Sequence, residues 1–498
     1  MEKDIRRRIR EENADQDVLR NSEIRNGEFI RYYGKQSELV IPDTVTVISE
    51  GAFRGNRKLA KVVIGKHVAV IRQNAFRDCD ALHHVSLPSG LRIIGEDAFH
   101  GCRSLGTVQL PRTVISIGAG AFRGCKTLSQ MILTANVEQI GAFAFCDCES
   151  LTEITLPEHL TAIHRGTFFG CRSLRSVSVP PSVRTVGRYA FGCCDALEEV
   201  ELPEELAYLG SGAFAECRSL RSFRVPPLVK FVGDYAFSRC ENLESVELPD
   251  SVTYIGINAF CACQKLCRVD LPPQVIRIAP AAFLNCSRLE EIVIPEAVRE
   301  IGKRAFAYCT SLRSVEIRAS IPAIAEETFH SCFELTSIEL PDSVTAIDEK
   351  AFYRCLSLSS VRMSRQLERL EERAFAECEA LCEMSLPASL EHIGNNAFAD
   401  CTALNTVLLP NRRLNVEAAA FAGCDALKML VVPDAYWVVS YRLDRWAVSS
   451  QAQVISHREL RYALLLAELT DSETTEERKA ELEIEIKRAK RKLRTRRR

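Results

Sequence analysis

The chain has 498 residues, of which 47% are hydrophobic and 26% are charged, and its formal net charge is −2. This balance is typical of a globular chain, and it argues against both a protein that coats nucleic acid with positive charge and a disordered acidic chain. No run of about eighteen apolar residues occurs, so the sequence predicts no membrane-spanning helix.

Residues 1–37 are predicted to form a charged N-terminal arm and the start of a cap. The first twenty residues, MEKDIRRRIREENADQDVLR, mix both charge signs and contain no apolar stretch of signal-peptide length. We therefore expect a cytoplasmic protein, with the cell surface as the alternative. Residues 27–42, GEFIRYYGKQSELVIP, predict two short strands about a turn near Gly34.

Residues 38–433 are organised by a repeat. Each copy has the frame LxxVxLPxxVxxIGxxAFxxC, with a Cys three residues after the Phe in every copy except the first, which has Asn56. The Phe recurs every 23 residues without insertion or deletion, at positions 53, 76, 99, 122, 145, 168, 191, 214, 237, 260, 283, 306, 329, 352, 375, 398 and 421. About seventeen copies in register indicate a repeat architecture.

One copy cannot bury its own apolar residues. The segment LxxVxL ends in the alternation of a half-buried strand, and the rest of the frame has apolar residues mostly three apart, which suits tight turns. Stacked copies bury these residues as one continuous core. The Gly after Ile predicts a turn. We expect Phe53, in an end copy, to contribute less stability than Phe237.

The frame resembles the leucine-rich repeats of the BspA type, also called the Treponema pallidum-like class, and the resemblance covers about residues 38–433. It implies a curved, right-handed solenoid with a β-sheet on the concave face. Many members are surface proteins implicated in adhesion, while others lack export signals. The predicted fold is therefore a β-rich leucine-rich repeat solenoid of about seventeen copies of 23 residues, followed by a short helical segment.

Residues 434–498 are predicted to form a C-terminal cap and a helical basic tail. Trp437 and Trp446 follow the last copy and suit a lid over its apolar end. Residues 457–470, HRELRYALLLAELT, predict a helix. Thr474 with Glu477 resembles a capping box for a second helix, whose apolar stripe is Leu482, Ile486, Ala489 and Leu493. The two helices are expected to form a hairpin or to bind a partner helix.

The recurring cysteines are interpreted as buried packing, because free Cys behaves as a small hydrophobe. Disulfides between stacked copies have many equivalent pairings, and a row of thiols does not converge on a metal ion. The remaining cysteines are expected nearer the surface: Cys146, Cys193, Cys261, Cys267 and Cys382. Cys261, Cys263 and Cys267 form a loose cluster with a weak signal for metal. No catalytic motif is found, and we predict no enzyme, no metal and no cofactor.

A binding function is predicted on the outward side chains of the first strand of each copy. The middle of this surface is acidic with isolated arginines, which favours a groove for a basic or mixed-charge protein segment; the alternative is that these are simply solvated positions. No aromatic residue occupies the slot ten after each Phe. The candidate residues are Glu199, Glu201, Arg224, Glu247, Arg268, Asp270, Glu291, Glu316, Glu339 and Arg362.

The last twelve residues, KRAKRKLRTRRR, contain nine basic side chains and could contact nucleic acid or an anionic membrane. The competing interpretation is a solvated helix end whose charge complements the helix dipole. The sequence as a whole predicts a non-catalytic scaffold for protein–protein interaction in a bacterium, with an unidentified protein partner and no small-molecule substrate. A cell-surface adhesin is the first alternative, and nucleic-acid or membrane association through the tail is the second.

Overall fold

The computed structural model describes residues 20–433, 439–470 and 476–494. The chain divides into two compact units, Met1–Ser287 and Arg288–Arg498. This division falls inside the predicted repeat region, and both units are built from the same 23-residue coil. The predicted domain limits at residues 37/38 and 433/434 stay a prediction.

Each coil of Met1–Ser287 contains two short strands, which we call the first and the second strand. A hairpin of β1 (Ser22–Arg25) and β2 (Glu28–Tyr32) precedes them. The first strands are β3 (Glu38–Val40), β5 (Lys61–Val63), β7 (His84–Ser86), β9 (Thr107–Gln109), β11 (Gln130–Ile132), β13 (Glu153–Thr155), β15 (Ser176–Ser178), β17 (Glu199–Glu201), β19 (Ser222–Arg224), β21 (Ser245–Glu247) and β23 (Arg268–Val269). The second strands are β4 (Val47–Ile48), β6 (Val70–Ile71), β8 (Ile93–Ile94), β10 (Ser116–Ile117), β12 (Gln139–Ile140), β14 (Ala162–Ile163), β16 (Thr185–Val186), β18 (Tyr208–Leu209), β20 (Phe231–Val232), β22 (Tyr254–Ile255) and β24 (Arg277–Ile278).

The unit Arg288–Arg498 repeats this arrangement and adds helices. Its first strands are β25 (Glu291–Ile294), β27 (Ser314–Ile317), β29 (Ser337–Glu339), β31 (Ser360–Arg362), β33 (Glu383–Ser385), β35 (Thr406–Leu408) and β37 (Met429–Val432). Its second strands are β26 (Glu300–Ile301), β28 (Ala323–Ile324), β30 (Ala346–Ile347), β32 (Arg369–Leu370), β34 (His392–Ile393) and β36 (Asn415–Val416). After the last coil come α1 (Val439–Trp446), β38 (Gln453–Ser456), α2 (His457–Thr470) and α3 (Glu476–Arg494).

Within each unit, the strands that pair across successive coils are parallel, with a register that equals the repeat, and the rows are interrupted in places, as between β12 and β14 and between β13 and β15. Gln130 lies opposite Thr107 in one neighbour and Glu153 in the other. Second strands follow the same rule, since Ser116 lies opposite Ile93 and Gln139. The predicted β-rich repeat solenoid with short C-terminal helices is confirmed. A coil of different length would move its side chains out of line with both neighbours.

The recurrent phenylalanines form the centre of each unit's core. Their ring centroids lie 4.7–5.9 Å apart in successive coils from Phe53 to Phe283, and 5.0–5.7 Å apart from Phe306 to Phe421. The rings are nearly parallel and buried, so each gains offset stacking contacts on its neighbours. The backbone is paired here too, since the Phe76 N–H donates to the Ala98 carbonyl of the next coil at 2.7 Å.

The Gly that follows Ile lies where successive coils pack closely and not at a left-handed turn, although Arg72, His164, Asp348 and Glu371 hold this position in other coils. Gly95 does not have a positive φ. A Cβ at Gly95 would lie 2.8 Å from backbone atoms of Arg72 and Gln73 in the preceding coil. The left-handed residues lie instead two before and two after each Phe, as at Asp97 (φ 49°) and Gly101 (φ 73°). The sequence-based reason for this Gly was therefore wrong.

The N-terminal hairpin begins earlier than expected. β1 and β2 pair antiparallel around Asn26 and Gly27, whose φ values of 51° and 78° suit a tight hairpin turn. Both strands predicted within residues 27–42 are present, as β2 and β3, but they belong to different sheets, so the predicted turn near Gly34 does not join a hairpin. β2 also pairs in parallel with β4, so the hairpin extends the row of second strands.

The C-terminal cap supplies the groups that a further coil would supply. The Trp446 side chain is 2% exposed and its Nε1–H donates to the Val416 carbonyl at 3.0 Å. The Phe421 N–H donates to the Trp446 carbonyl at 3.0 Å, where an inner Phe would use the next coil. β38 pairs in parallel with β37. The predicted tryptophan lid is confirmed for Trp446; Trp437 lies outside the described residues.

The predicted helix at residues 457–470 is confirmed, and α2 packs against α3 as a hairpin. Ser456 and Glu459 form a reciprocal capping box at the start of α2, with Ser456 N–H donating to Glu459 Oε2 at 2.7 Å. Of the predicted stripe on α3, Leu482 is fully buried and the other members are half-buried. Thr474 lies outside the described residues.

Phe53 and Phe237 are expected to contribute similarly to stability. The idea that Phe53 has few neighbours is wrong, because its ring stacks on Phe29 at 4.8 Å as well as on Phe76 at 4.7 Å. Replacing either Phe53 or Phe237 by Ala removes a fully packed ring, and we expect a loss of about 3–5 kcal/mol for each in denaturant melts.

The control for this comparison is Tyr33→Ala, because Tyr33 is 63% exposed and should change stability by less than about 0.5 kcal/mol. A Phe53→Ala loss below half of the Phe237→Ala loss would contradict the capping role of the hairpin.

Candidate functional site

The candidate binding surface is the set of outward side chains on the first strands, which we call the strand face. In a strand, alternate side chains point to opposite sides. The middle residue of each first strand points into the core, as Phe223 and Val246 do at 5% and 7% exposure. The residues on either side point outward, so each coil places two side chains on the strand face.

In Met1–Ser287 the six predicted site residues are all exposed. They lie on or beside four successive first strands, β17, β19, β21 and β23. Glu199 and Glu201 are on β17, Arg224 on β19 and Glu247 on β21. Arg268 is on β23, and Asp270 follows that strand directly.

The arginines of this unit's strand face are neutralised by acidic neighbours. Arg224 lies opposite Glu247 and approaches it to 3.7 Å, and its Nη1 lies 3.3 Å from Glu204. Arg268 donates from Nε to Asp270 at 3.1 Å. Exposed pairs of this kind contribute little to stability. Their effect is to remove free positive charge from the strand face.

The unit Arg288–Arg498 carries the other four predicted residues, and they are also exposed on first strands. Glu316 accepts from Arg318, 2.7 Å away, and this hydrogen bond lowers the pKa of Glu316. Arg362 donates to Glu339, its partner in register on the adjacent strand, at 2.9 Å. Glu291 lies on β25 opposite Ser314 of β27.

Free negative charge concentrates on β13 and β17. Glu153, Glu199 and Glu201 are exposed, and none of them has a basic group within salt-bridge distance among the described residues. Glu201 accepts a hydrogen bond from the Ser178 hydroxyl at 3.1 Å, which holds its carboxylate outward on the strand face. These three carboxylates are therefore available to an external cation.

The second strands of nearby coils carry an exposed aromatic row that sequence reasoning missed. Tyr208 is 49% exposed, Phe231 is 56% exposed and Tyr254 is half-buried. They occupy the same outward position, seventeen residues after the repeat Phe, in three successive coils. The expectation of no aromatic residue concerned only the slot ten after each Phe. The sequence does contain a signal for this row, because the three aromatic residues are 23 positions apart.

The cysteines three residues after each repeat Phe form what we call the cysteine ladder. These thiols are buried and unreactive. Ladder thiols donate to the Phe carbonyl of the preceding coil, as Cys79 Sγ does to Phe53 O and Cys240 Sγ to Phe214 O, both at 3.1 Å. Burial raises the pKa of Cys240 and of Cys355 to about 12. A protonated thiol is neither a metal ligand nor a nucleophile. The interpretation of these residues as core packing agrees with this geometry.

The five cysteines outside the ladder differ in exposure. Cys267 and Cys382 are exposed, and Cys193 and Cys261 are partly buried, as expected. Cys146 is buried, so the expectation that it lies near the surface is wrong; burial raises its pKa to about 12. In the described part of the chain, no group of three or more His, Cys, Asp or Glu side chains could hold a metal ion.

The basic tail is helical as far as the structure describes it, because α3 extends to Arg494. Lys487, Arg488 and Lys490 on this helix are exposed. None of the helices in the described part of the chain has the length and apolar character needed to cross a lipid bilayer.

Comparison with known proteins identifies the family. The family model described as a BspA type leucine rich repeat region matches residues 22–148, 115–244, 208–335 and 323–441. The matched segments overlap and span most of the sequence. The chain therefore belongs to the BspA-type leucine-rich repeat family. No curated protein matches it.

Several solved structures resemble the chain. A leucine-rich repeat protein from Bacteroides ovatus is 25% identical in sequence, with a TM-score of 0.47. The match covers 86% of this chain and 94% of the Bacteroides chain. The leucine-rich repeat protein of Treponema pallidum is 31% identical over 39% of this chain and 82% of its own, with a TM-score of 0.32. A leucine-rich cell surface protein from Faecalibacterium prausnitzii is 21% identical, with a TM-score of 0.38. The match covers 85% of this chain and 93% of the Faecalibacterium chain.

The thiols are expected to react in two classes. At pH 8, iodoacetamide should label Cys267 and Cys382 first because both are exposed. Ladder thiols such as Cys240 and Cys355 should stay unmodified, because they are buried and their pKa is raised to about 12. Peptide mass spectrometry of the folded protein measures this.

The same labelling in urea is the control, since unfolding should expose all twenty-one cysteines. Ladder labelling at the rate of Cys267 in the folded protein would show that the core opens readily, which the stacked structure does not predict.

Proposed function

We propose that the protein is a non-catalytic scaffold that binds a protein partner through the strand face of Met1–Ser287. The partner segment is basic or of mixed charge. The observation that carries this proposal is the set of exposed carboxylates of Glu153, Glu199 and Glu201, which have no basic partner among the described residues. Carboxylates without internal partners attract a basic segment over a range set by ionic strength.

The aromatic row adds an apolar element at the same coils. The coil that carries Glu199 and Glu201 on its first strand carries Tyr208 on its second strand. The next coil carries Arg224 with Phe231 in the same way. Exposed Tyr and Phe side chains give contact area with few rotatable bonds, and aromatic residues are enriched at protein interfaces. We therefore propose a partner segment that presents apolar side chains beside its basic ones.

We also propose that the protein works in the cytoplasm of a bacterium. The support is the ladder of free thiols, because such residues persist in reducing compartments. The cell surface is the alternative, and the Faecalibacterium relative is described as a cell surface protein. Fractionation of the source cell distinguishes the two, since intact protein outside the cell would overturn the cytoplasmic placement.

Neutralising the three carboxylates should abolish partner capture. The variant Glu153→Gln, Glu199→Gln, Glu201→Gln keeps the shape of each side chain and removes three charges. Immobilised wild-type protein should retain a basic protein from the lysate of its source organism at low salt, and this variant should retain at least tenfold less by quantitative mass spectrometry.

The matched control is Glu50→Gln, Glu96→Gln, Glu138→Gln. These side chains are exposed and lie away from the first strands, so the change in net charge is the same. Capture equal in both variants would place the interaction elsewhere. Adding Tyr208→Ser and Phe231→Ser to the wild type tests the aromatic row separately.

A further inference from the structure

An open concavity of about 580 Å³ lies where the first coil meets the N-terminal hairpin. It is lined by residues 31–35, which form the end of β2 and the segment after it, and by residues 51–58, which form the turn that carries Phe53. Its floor is apolar, because Phe53 is 1% exposed and Tyr32 is 8% exposed. The volume has room for roughly twenty water molecules at about 30 Å³ each, so a ligand with several functional groups would fit.

The charge of this lining is entirely positive. We call the site the basic pocket, and its charged residues are Arg31, Lys35, Arg54, Arg57 and Lys58. No acidic residue lines it. All five side chains are exposed. Clefts lined by one sign of charge focus the field and raise the local concentration of the opposite ion.

Four of these cations have no acidic partner among the described residues: Arg31, Lys35, Arg54 and Lys58. Arg57 makes one contact, with Asp80 at 3.6 Å, and Asp80 is shared with Arg103 at 3.7 Å. Several other basic residues on the coil turns do find an acid in a neighbouring coil, as Lys126 finds Glu149 at 2.8 Å.

Arg54 illustrates the difference. Arg77, the equivalent residue of the next coil, donates to Asp97 at 2.8 Å, twenty residues further along. Arg123 lies over the Phe143 ring in the same relative position. For Arg54 that position holds Asn74, whose oxygen accepts from Arg77 at 3.1 Å instead. The next coil therefore offers Arg54 neither an acid nor an aromatic ring at this position.

Two acids of the hairpin have basic partners of their own. Glu28 of β2 accepts from both terminal nitrogens of Arg72, at 3.0 and 2.9 Å. Glu23 of β1 pairs with Arg25 at 2.6 Å. Both carboxylates thus have partners within the hairpin or the second coil, and the Tyr33 hydroxyl of the lining also donates to Glu23 Oε2 at 3.4 Å.

We propose that the basic pocket binds an anion that carries several phosphoryl groups, either a free small molecule or a lipid headgroup. Arg31 and Arg54 would form paired hydrogen bonds to phosphate oxygens, because the guanidinium fork matches them. Lys35 and Lys58 would act as point charges at the rim. This site is separate from the strand face, so each proposal can fail without the other.

The first test is isothermal titration of the full chain with sodium tripolyphosphate. We expect saturable binding with one strong site. The variant Arg31→Gln, Lys35→Gln, Arg54→Gln, Lys58→Gln should lose at least tenfold in affinity, because four charge-assisted contacts are removed. Unchanged melting temperatures would show that these exposed substitutions leave the fold intact.

The control removes the same charge from the basic tail, which could bind the probe without specificity. Lys487→Gln, Arg488→Gln, Lys490→Gln, Arg491→Gln should keep the strong site within about twofold of wild type. Equal losses in the two variants, loss only in the tail variant, or no saturable binding by wild type would each overturn the proposal.

A local measurement and a source test complete the design. Hydrogen–deuterium exchange should slow in residues 31–35 and 51–58 when tripolyphosphate binds, and an effect confined to residues outside the basic pocket would contradict the proposal.

Flotation with phosphatidylcholine vesicles containing phosphatidylinositol bisphosphate distinguishes a headgroup from a free ligand. Vesicle binding that the pocket variant loses assigns a lipid source, and tripolyphosphate binding without vesicle binding assigns a free molecule.

Discussion

The constraint on which the structure depends is the fixed coil length of 23 residues. Because successive strands pair in parallel at that offset, each residue lies beside its own equivalents in the coils before and after it. A residue type that recurs at one position of the frame therefore packs against the same residue type in the neighbouring coils. Phe stacks on Phe at 5.4 Å in Phe237–Phe260, and Cys263 donates to the carbonyl of Phe237 in the preceding coil. The core of each unit is a set of such rows, and no single coil contains it.

The same constraint sets the charge of the surface. Neighbours on the surface are residues about one repeat apart, so an acid and a base neutralise each other when they occupy matching positions. Arg362 with Glu339 and Lys126 with Glu149 are pairs of this kind, at 2.9 and 2.8 Å. Where the repeat supplies no opposite charge, the charge stays available. The carboxylates on β13 and β17 and the cations of the basic pocket are the two main cases in Met1–Ser287, and both proposals of binding rest on them.

Much of this was predictable from sequence, and the period was the reason. The positions of Phe53 to Phe421, the first strands, the buried ladder cysteines and the exposure of residues such as Glu201 and Arg362 follow from one frame applied repeatedly. The second strands were missed, because apolar residues three apart predicted tight turns in that part of the frame. The ends were predicted less well, because the frame stops there. The hairpin turn falls at Asn26–Gly27 and not at Gly34, and the cap places Phe29 on Phe53. The contact of Arg224 with Glu204, twenty residues away, and the basic pocket join residues whose spacing in sequence does not show that their side chains meet.

The most direct test of the stacked-coil account is to shorten the chain by one coil. Deleting residues 218–240 removes 23 residues and joins Cys217 to Glu241 in register. Deleting residues 218–239 removes one residue fewer and leaves a coil of 24 residues at the junction, which puts the coils on its two sides out of register with each other. Thermal melts followed by circular dichroism should show a cooperative transition for the 23-residue deletion, and a broad or absent transition for the 22-residue deletion. Equal cooperative melting of both would contradict the claim that coil register holds the structure together.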